Sequence, residues 1–168
     1  MNDRSAAPGA LALVESLVNT LDMETGADTL DTAEGRGRFG IAEDGLEEAR
    51  QVRESLRAVL LAHAGHRPHD DVTPLGELLA RAPLYVAVDE RDGSASLTPA
   101  LDGPLLSRVA AAVAEGLAEG TWMRLKACEA DDCHWAYYDR SPAGRGRWCS
   151  MQVCGARAKM RRYRAKEG

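Results

Sequence analysis

No apolar run in this chain reaches the roughly 18 residues that span a bilayer. Its opening, Met1-Asn2-Asp3-Arg4-Ser5, has no basic stretch leading into a signal-like apolar core. These absences argue against a spanning helix and a secretory leader, so the expected protein is soluble and cytoplasmic, with no membrane partner. Cysteine is missing from everything before Cys128, so no disulfide framework can organise that part. There is no internal repeat, which argues against a solenoid. No nucleophile elbow and no catalytic triad can be assembled from the motifs, and the protein is not expected to be an enzyme.

What cysteine there is sits in one place. All four residues form the pairs Cys128-x4-Cys133 and Cys149-x4-Cys154, with fifteen residues between the pairs. Two short-spaced thiolate pairs can close around one tetrahedral zinc ion, and a reducing compartment disfavours the disulfide alternative. Four protein ligands leave no open coordination position, so the expected cofactor is one structural Zn2+ per chain. His134, adjacent to Cys133, could replace a thiolate, but four cysteines already fill the site. A zinc ion held by four thiolates carries a formal charge of about -2 and calls for donors around it. Arg147, Arg157 and the start of a helix at Cys154 are the candidates.

The formal net charge of -5 conceals an asymmetry. Residues 1–120 hold 10 Lys+Arg against 21 Asp+Glu, a net of -11, and residues 121–168 hold 11 against 5, a net of +6. An acidic body with a basic tail is the split expected when one end meets a polyanion. The internal alternative is a tail that docks on the acidic body of its own chain or of a twin.

Periodicity supplies the elements. Val14, Leu17, Val18 and Leu21 share a helical face within residues 10–21. Residues 22–42 are polar and Gly-rich and read as a loop. From Ala42 to Ala64 the positions Leu46, Ala49, Val52, Leu56, Val59 and Leu60 make an apolar stripe, with Glu and Arg expected on the opposite face, ending near Gly65. Thr73 is the expected N-cap of a short helix that has Pro74 at its first helical position and runs to Arg81. Leu84–Asp89 and Ser94–Thr98 flank Arg91-Asp92-Gly93 as a hairpin. Residues 102–119 form another helix, with Gly120 as its stop and the expected domain boundary. Beyond it, strands are expected at Trp122–Ala127 and Trp135–Asp139, a turn-rich connector at Ser141–Arg147, and a last helix from about Val153 to Lys166. The fold class is therefore mainly α (α+β). A helical domain with one β-hairpin, residues 1–120, is followed by a small zinc-binding module, residues 121–168, with its own hairpin and a basic C-terminal helix.

In that last helix Val153, Ala156, Met160 and Tyr163 leave only a narrow apolar stripe, and Arg157, Lys159, Arg161, Arg162 and Arg164 occupy the rest. With Arg145 and Arg147 of the connector they are the candidate nucleic-acid contacts, and Trp148 and Tyr163 could stack or pack beside them. Two other patterns weaken on inspection. Gly35-Arg-Gly37-Arg-Phe-Gly40 has the letters of a dinucleotide fingerprint but follows a stretch too polar for a core strand, and reads as a flexible glycine loop. His63, His66 and His69 repeat every three residues, but Gly65 and Pro68 break the helix that would align them on a metal.

The tail, Cys128-x4-Cys133-x15-Cys149-Ser-Met-x2-Cys154-Gly155-Ala156-Arg157-Ala-Lys159, closely resembles the CGNR zinc-finger family, whose second pair ends in Cys-Gly-Asn-Arg followed by basic residues. The first domain resembles the ABATE domain that accompanies this finger, through Leu17-Val18-Asn19-Thr20 and the Glu-Ala-Arg-x2-Arg-Glu-x-Leu-Arg pattern of Glu48 to Arg57. The resemblance implies a stress-related transcription regulator with the four cysteines as zinc ligands and Arg157 and Lys159 at the finger's basic positions. Ala156 replaces the family asparagine, so any contact of that amide is missing. DNA rather than RNA is the expected partner, and the first domain would sense a small-molecule effector or make a homodimer. Asn19, an amide within an otherwise apolar face, either bonds a neighbouring backbone or lines an effector pocket. The alternative function is a protein-interaction adaptor whose finger docks an acidic protein partner.

Overall fold

The structure is a computed structural model that describes residues 6–66, 71–101 and 103–167. Its elements run α1 (Leu11–Val18), α2 (Ala33–Gly37), α3 (Leu46–His63), α4 (Leu75–Leu79), β1 (Leu84–Val88), β2 (Ala95–Pro99), α5 (Leu105–Ala118), β3 (Leu125–Ala127), β4 (Ala136–Tyr138) and α6 (Ala156–Glu167). The mainly α architecture with two small antiparallel hairpins agrees with the sequence expectation. Among the described residues no helix is long and apolar enough to cross a membrane.

The apolar stripes meet where their periods direct them. Val14, Leu17 and Val18 of α1, Ala49, Val52, Leu56 and Leu60 of α3, and Val109 and Ala112 of α5 form one buried core. Helix α5 stops in a Schellman turn: the Gly120 N–H donates to the Leu117 carbonyl at 3.1 Å and the Thr121 N–H to the Gly116 carbonyl at 2.8 Å, with Gly120 at φ +69°. The core continues past that turn. Trp122, Leu125, Ala127 and Ala136 are buried in the same cluster as the helices, so the hairpin β3–β4 packs on α3 and α1. A second cluster gathers the four cysteines with Ala130 and Tyr137, flanked by Trp135 and Trp148.

Several local expectations are corrected. The Gly-rich stretch expected as a loop holds a 3-10 turn, Thr29–Asp31, capped by Asp28, and then α2, capped by the Thr32 hydroxyl accepting from the Gly35 N–H at 3.0 Å. Gly35 is no flexible link: a Cβ there would lie 1.9 Å from the Thr29 carbonyl oxygen. Thr73 does not cap α4. Its hydroxyl accepts from Gln51 and its carbonyl from Ser55, so it ties the incoming chain to α3. Trp122–Arg124 is a 3-10 turn, leaving a three-residue strand, and Trp122 stands edge-on to His63 with ring centroids 5.0 Å apart. The last helix begins at Ala156, after a wide π-type turn over Met151–Gly155.

The largest correction concerns α3. Arg53 and Arg57, expected among its solvent-facing charges, are buried at 4% and 2% exposure. Each is held by several oxygens, as a buried guanidinium must be.

Candidate metal centre and basic tail

Cys128 follows β3 directly, Cys133 closes the tight turn between the strands, Cys149 ends the connector, and Cys154 lies in the π-type turn that opens α6. The four sulfurs all fall within 4.8 Å of one another. Cys133 Sγ is 3.6 Å from Cys149 Sγ, which is 3.7 Å from Cys154 Sγ. Zinc–sulfur bonds of about 2.3 Å at tetrahedral angles give sulfur–sulfur edges of about 3.8 Å, whereas a disulfide needs about 2.05 Å. The spacing fits an ion at the centre and no bond between sulfurs.

Ionisation points the same way. Hydrogen bonds from the Cys133 and Cys149 thiols hold Cys128 down at about 2 despite burial. Accepting those bonds, Cys128 holds Cys133 up at about 12 and pushes Cys149 far above the ordinary thiol range. Burial raises Cys154, and the charge on Cys128 adds to it. Four crowded, buried thiols cannot all ionise on their own; a divalent cation among them makes that possible. Backbone N–H groups of Ala130 and Trp135 lower the thiols of Cys128 and Cys133 respectively, which is how a turn supplies donors to such a centre.

The arginines expected around the ion make their direct contacts with carboxylates. Arg147 is paired with Glu129 and lies over the Trp148 ring, 5.3 Å from its centroid. Arg157 contacts Glu24 of the first domain and Asp132, each at 3.3 Å. Its guanidinium is held above the ordinary range first by Glu24, with Asp132 and Cys154 contributing. His134 is buried with φ +48°, and its carbonyl accepts from Arg57. His63 Nδ1 lies 2.8 Å from the Leu125 carbonyl oxygen and His66 Nε2 3.0 Å from Glu129, so the two serve as separate struts to the finger; His69 lies outside the described residues.

A polar seam that sequence reasoning left unassembled joins the finger to the helices. Arg57 donates to the carbonyls of Val18 and His134 and to Glu54, at 3.0, 3.1 and 2.9 Å. Arg53 donates to Asp28 at 2.7 Å, Thr20 at 3.1 Å and Glu54 at 2.7 Å. Burial raises Glu54, but the two guanidiniums outweigh it and hold its carboxyl below the usual range. Asn19 pairs with the Ala136 backbone, as one of its two readings expected, and it also lines a cleft of about 460 Å³ with Thr20, Arg38 and Phe39. The signal was in the family-like strings Leu17–Thr20 and Glu48–Arg57, from which Asn19, Thr20, Arg53, Glu54 and Arg57 build this seam.

The connector is fixed by a second buried pair. Lys126 and Asp139, 5% and 4% exposed, meet at 2.9 Å, and the Lys126 ammonium also donates to the Gly144 carbonyl. Asp139 further accepts from the N–H groups of Ser141 at 3.0 Å and Gly146 at 2.7 Å. Burial works to raise this carboxyl, yet the bonds from Ser141, Lys126 and Gly146 hold it well below the usual range.

The seven candidate nucleic-acid residues fall into two groups. Arg147 and Arg157 are tied to carboxylates, as described. Arg145 on the connector and Lys159, Arg161, Arg162 and Arg164 on α6 are exposed, and no ion pair holds them among the described residues. The apolar stripe of α6 stays uncovered, with Val153, Met160 and Tyr163 about half exposed or more.

A closed four-thiolate centre seated on a helical platform defines a two-part zinc-finger protein. The sequence model of the CGNR zinc finger matches residues 124–167, and that of ABATE, described as "Putative stress-induced transcription regulator", matches residues 10–120. The chain belongs to the ABATE family and carries a CGNR zinc finger, in which Cys128, Cys133, Cys149 and Cys154 hold one structural zinc ion. A comparison with curated proteins finds no match.

Proposed function

We propose that the protein is a cytoplasmic, non-enzymatic transcription regulator of the stress response that binds DNA through its zinc finger and basic α6. The first domain supplies the regulatory input, as effector sensor or homodimer surface. One observation carries the reading: α6 extends from the finger with Lys159, Arg161, Arg162 and Arg164 exposed and free of acidic partners among the described residues. It packs chiefly on the turn before it, which leaves its length open to a duplex phosphate backbone. The zinc ion orders the base of that helix, and Arg157 braces it against Glu24.

Binding to mixed-sequence duplex DNA followed by fluorescence anisotropy across salt tests this. With Arg145 and the four cations of α6 meeting phosphates, the log–log slope should be about -4 to -5. Absence of binding at low salt up to high micromolar protein would end the reading. The adaptor reading draws on the ties from Arg157 to Glu24 and from Arg147 to Glu129, where basic residues of the tail already hold protein carboxylates. It expects no salt-dependent nucleic-acid binding.

A further inference from the structure

A cleft of about 840 Å³ opens between the connector and the start of the π-type turn; none of the four cysteines and none of the exposed cations of α6 lines it. Its lining includes two aromatic–guanidinium pairs. Arg140 lies over Tyr138 at 5.1 Å and Arg147 over Trp148 at 5.3 Å. Arg145 and Met151, both exposed, lie at its edge. The connector backbone that shapes the cleft is set by the buried Lys126–Asp139 pair. A Cβ at Gly146 would come within 2.9 Å of the Asp139 carboxyl, so the loop is held close to that anchor.

We propose that this cleft receives an unpaired nucleotide of a single-stranded or locally opened nucleic acid, with the base against the Trp148–Arg147 and Tyr138–Arg140 pairs and its phosphate on Arg145. The inference rests on the nucleic-acid reading of the tail and adds to it the state of the strand. The volume lies within the range of about 300–1,000 Å³ typical of small-ligand pockets. Arg140 and Arg145 give the rim positive charge for a phosphodiester, while Arg147, paired with Glu129, supplies a plane rather than net charge; aromatic and guanidinium planes are the surfaces on which unstacked bases settle. In an intact duplex each base face is covered by its neighbours, so rings set inside a concave cleft can reach only a base that has left the stack. Helix α6 is convex and suits a duplex; the cleft suits what a duplex hides.

The test uses the full zinc-loaded chain and short mixed-sequence single-stranded DNA, single-stranded RNA and duplex DNA, with zinc content checked by native mass spectrometry. At least one single strand should bind more tightly than the duplex. Trp148→Leu should weaken that strand about tenfold, the loss of one stacked base, while duplex affinity stays put. Which strand loses more tells DNA from RNA. Arg145→Glu, on the exposed loop, should weaken the single strand several-fold more than the duplex, and it decides the matter if Trp148→Leu costs the protein its zinc. Duplex binding that persists with no single-strand preference, unchanged in either variant, overturns the cleft and leaves the regulator reading standing. Failure to bind any of the three overturns both.

Discussion

The side-chain amide of Asn19 brackets the backbone of Ala136: Nδ2 donates to the Ala136 carbonyl at 3.0 Å, and Oδ1 accepts from the Ala136 N–H at 2.7 Å. A single side chain thus completes the outer edge of β4 as a neighbouring strand would, and it does so from the C-terminal cap of α1, 117 residues away. Asn19→Ala leaves both Ala136 groups without that partner. It should cost about 1–2 kcal/mol in chemical denaturation and speed hydrogen exchange at Ala136. Asn19→Leu should be no milder. Exchange at Ala136 unchanged from the parent would refute this account of the residue.

Arg57 carries more than Asn19 because it serves three acceptors at once. Arg57→Met strips Glu54 of its main partner and leaves the Val18 and His134 carbonyls unpaired inside the core. Removing one partner from a buried ionic network costs about 3–5 kcal/mol, so thermal unfolding should shift down by many degrees. Arg57→Lys should recover only part of this, because one ammonium cannot span all three positions. A variant Arg57→Met as stable as the parent would contradict the seam.

How much of this was legible in the sequence depends on distance along the chain. The cysteine set and the apolar stripe of α3 are local patterns, and both appear where spacing and period placed them. The burial of Arg57 was hidden, because a charged residue between apolar positions reads as solvent-facing until its acceptors arrive from 39 and 77 residues away. The Gly-rich stretch 22–42 misled for the opposite reason: glycine looked like freedom, whereas Gly35 is there so that α2 can close on Thr29. Nor could sequence alone show that Trp122, Leu125 and Ala136 complete the core of the helices rather than a core of the finger.

Asp139 ties the connector to pH. Asp139 titrates well below its ordinary value of 3.8 in the folded protein, so its contribution is fully present above that unfolded value and is lost as pH falls through and below it. Glu54 behaves alike from its ordinary 4.5. Denaturation monitored between neutral pH and about pH 3 should therefore show stability falling on the acid side. Asp139→Asn should flatten that slope and lower stability at neutral pH. An unchanged slope in Asp139→Asn would show that the Lys126–Asp139 pair has no part in it.

Removing zinc should unravel the cysteine-bearing turns on either side of β4 and release α6, while α1, α3 and α5 persist. Structural zinc in comparable modules contributes on the order of 10 kcal/mol or more, and the cysteine cluster has little else to bury. The hairpin β3–β4 occupies an intermediate position. Leu125, Ala127 and Ala136 are buried against the helices, and Asn19, Arg57 and His63 bond its backbone or the turn leading into it, so its pairing should outlast the knuckle. After chelation, limited proteolysis should cut first at Arg145, Arg147 and the arginines of α6. Circular dichroism should lose the helicity of α6 alone. Loss of all helical signal would mean that the metal also holds the first domain together.

The division among the basic residues predicts different phenotypes for arginines that look alike in sequence. Arg161 and Arg162 are exposed and free of carboxylates among the described residues. Their double reversal, Arg161→Glu with Arg162→Glu, should weaken binding to every duplex alike and make the salt slope about 2 units shallower. Arg157 is braced between Glu24 and Asp132, so Arg157→Ala should act through geometry. It frees α6 from the first domain and should broaden the motion of the helix, raising the salt-independent part of the dissociation constant while leaving the slope nearly unchanged. Glu24→Gln should reproduce that phenotype without touching any residue of the finger. Lys159, early in α6 and unbraced, is then the residue whose substitution should alter preference among sequences. If Arg157→Ala instead flattened the salt slope as strongly as the double reversal, its guanidinium would have to leave Glu24 for phosphate on binding, and the brace would be a latch that DNA opens.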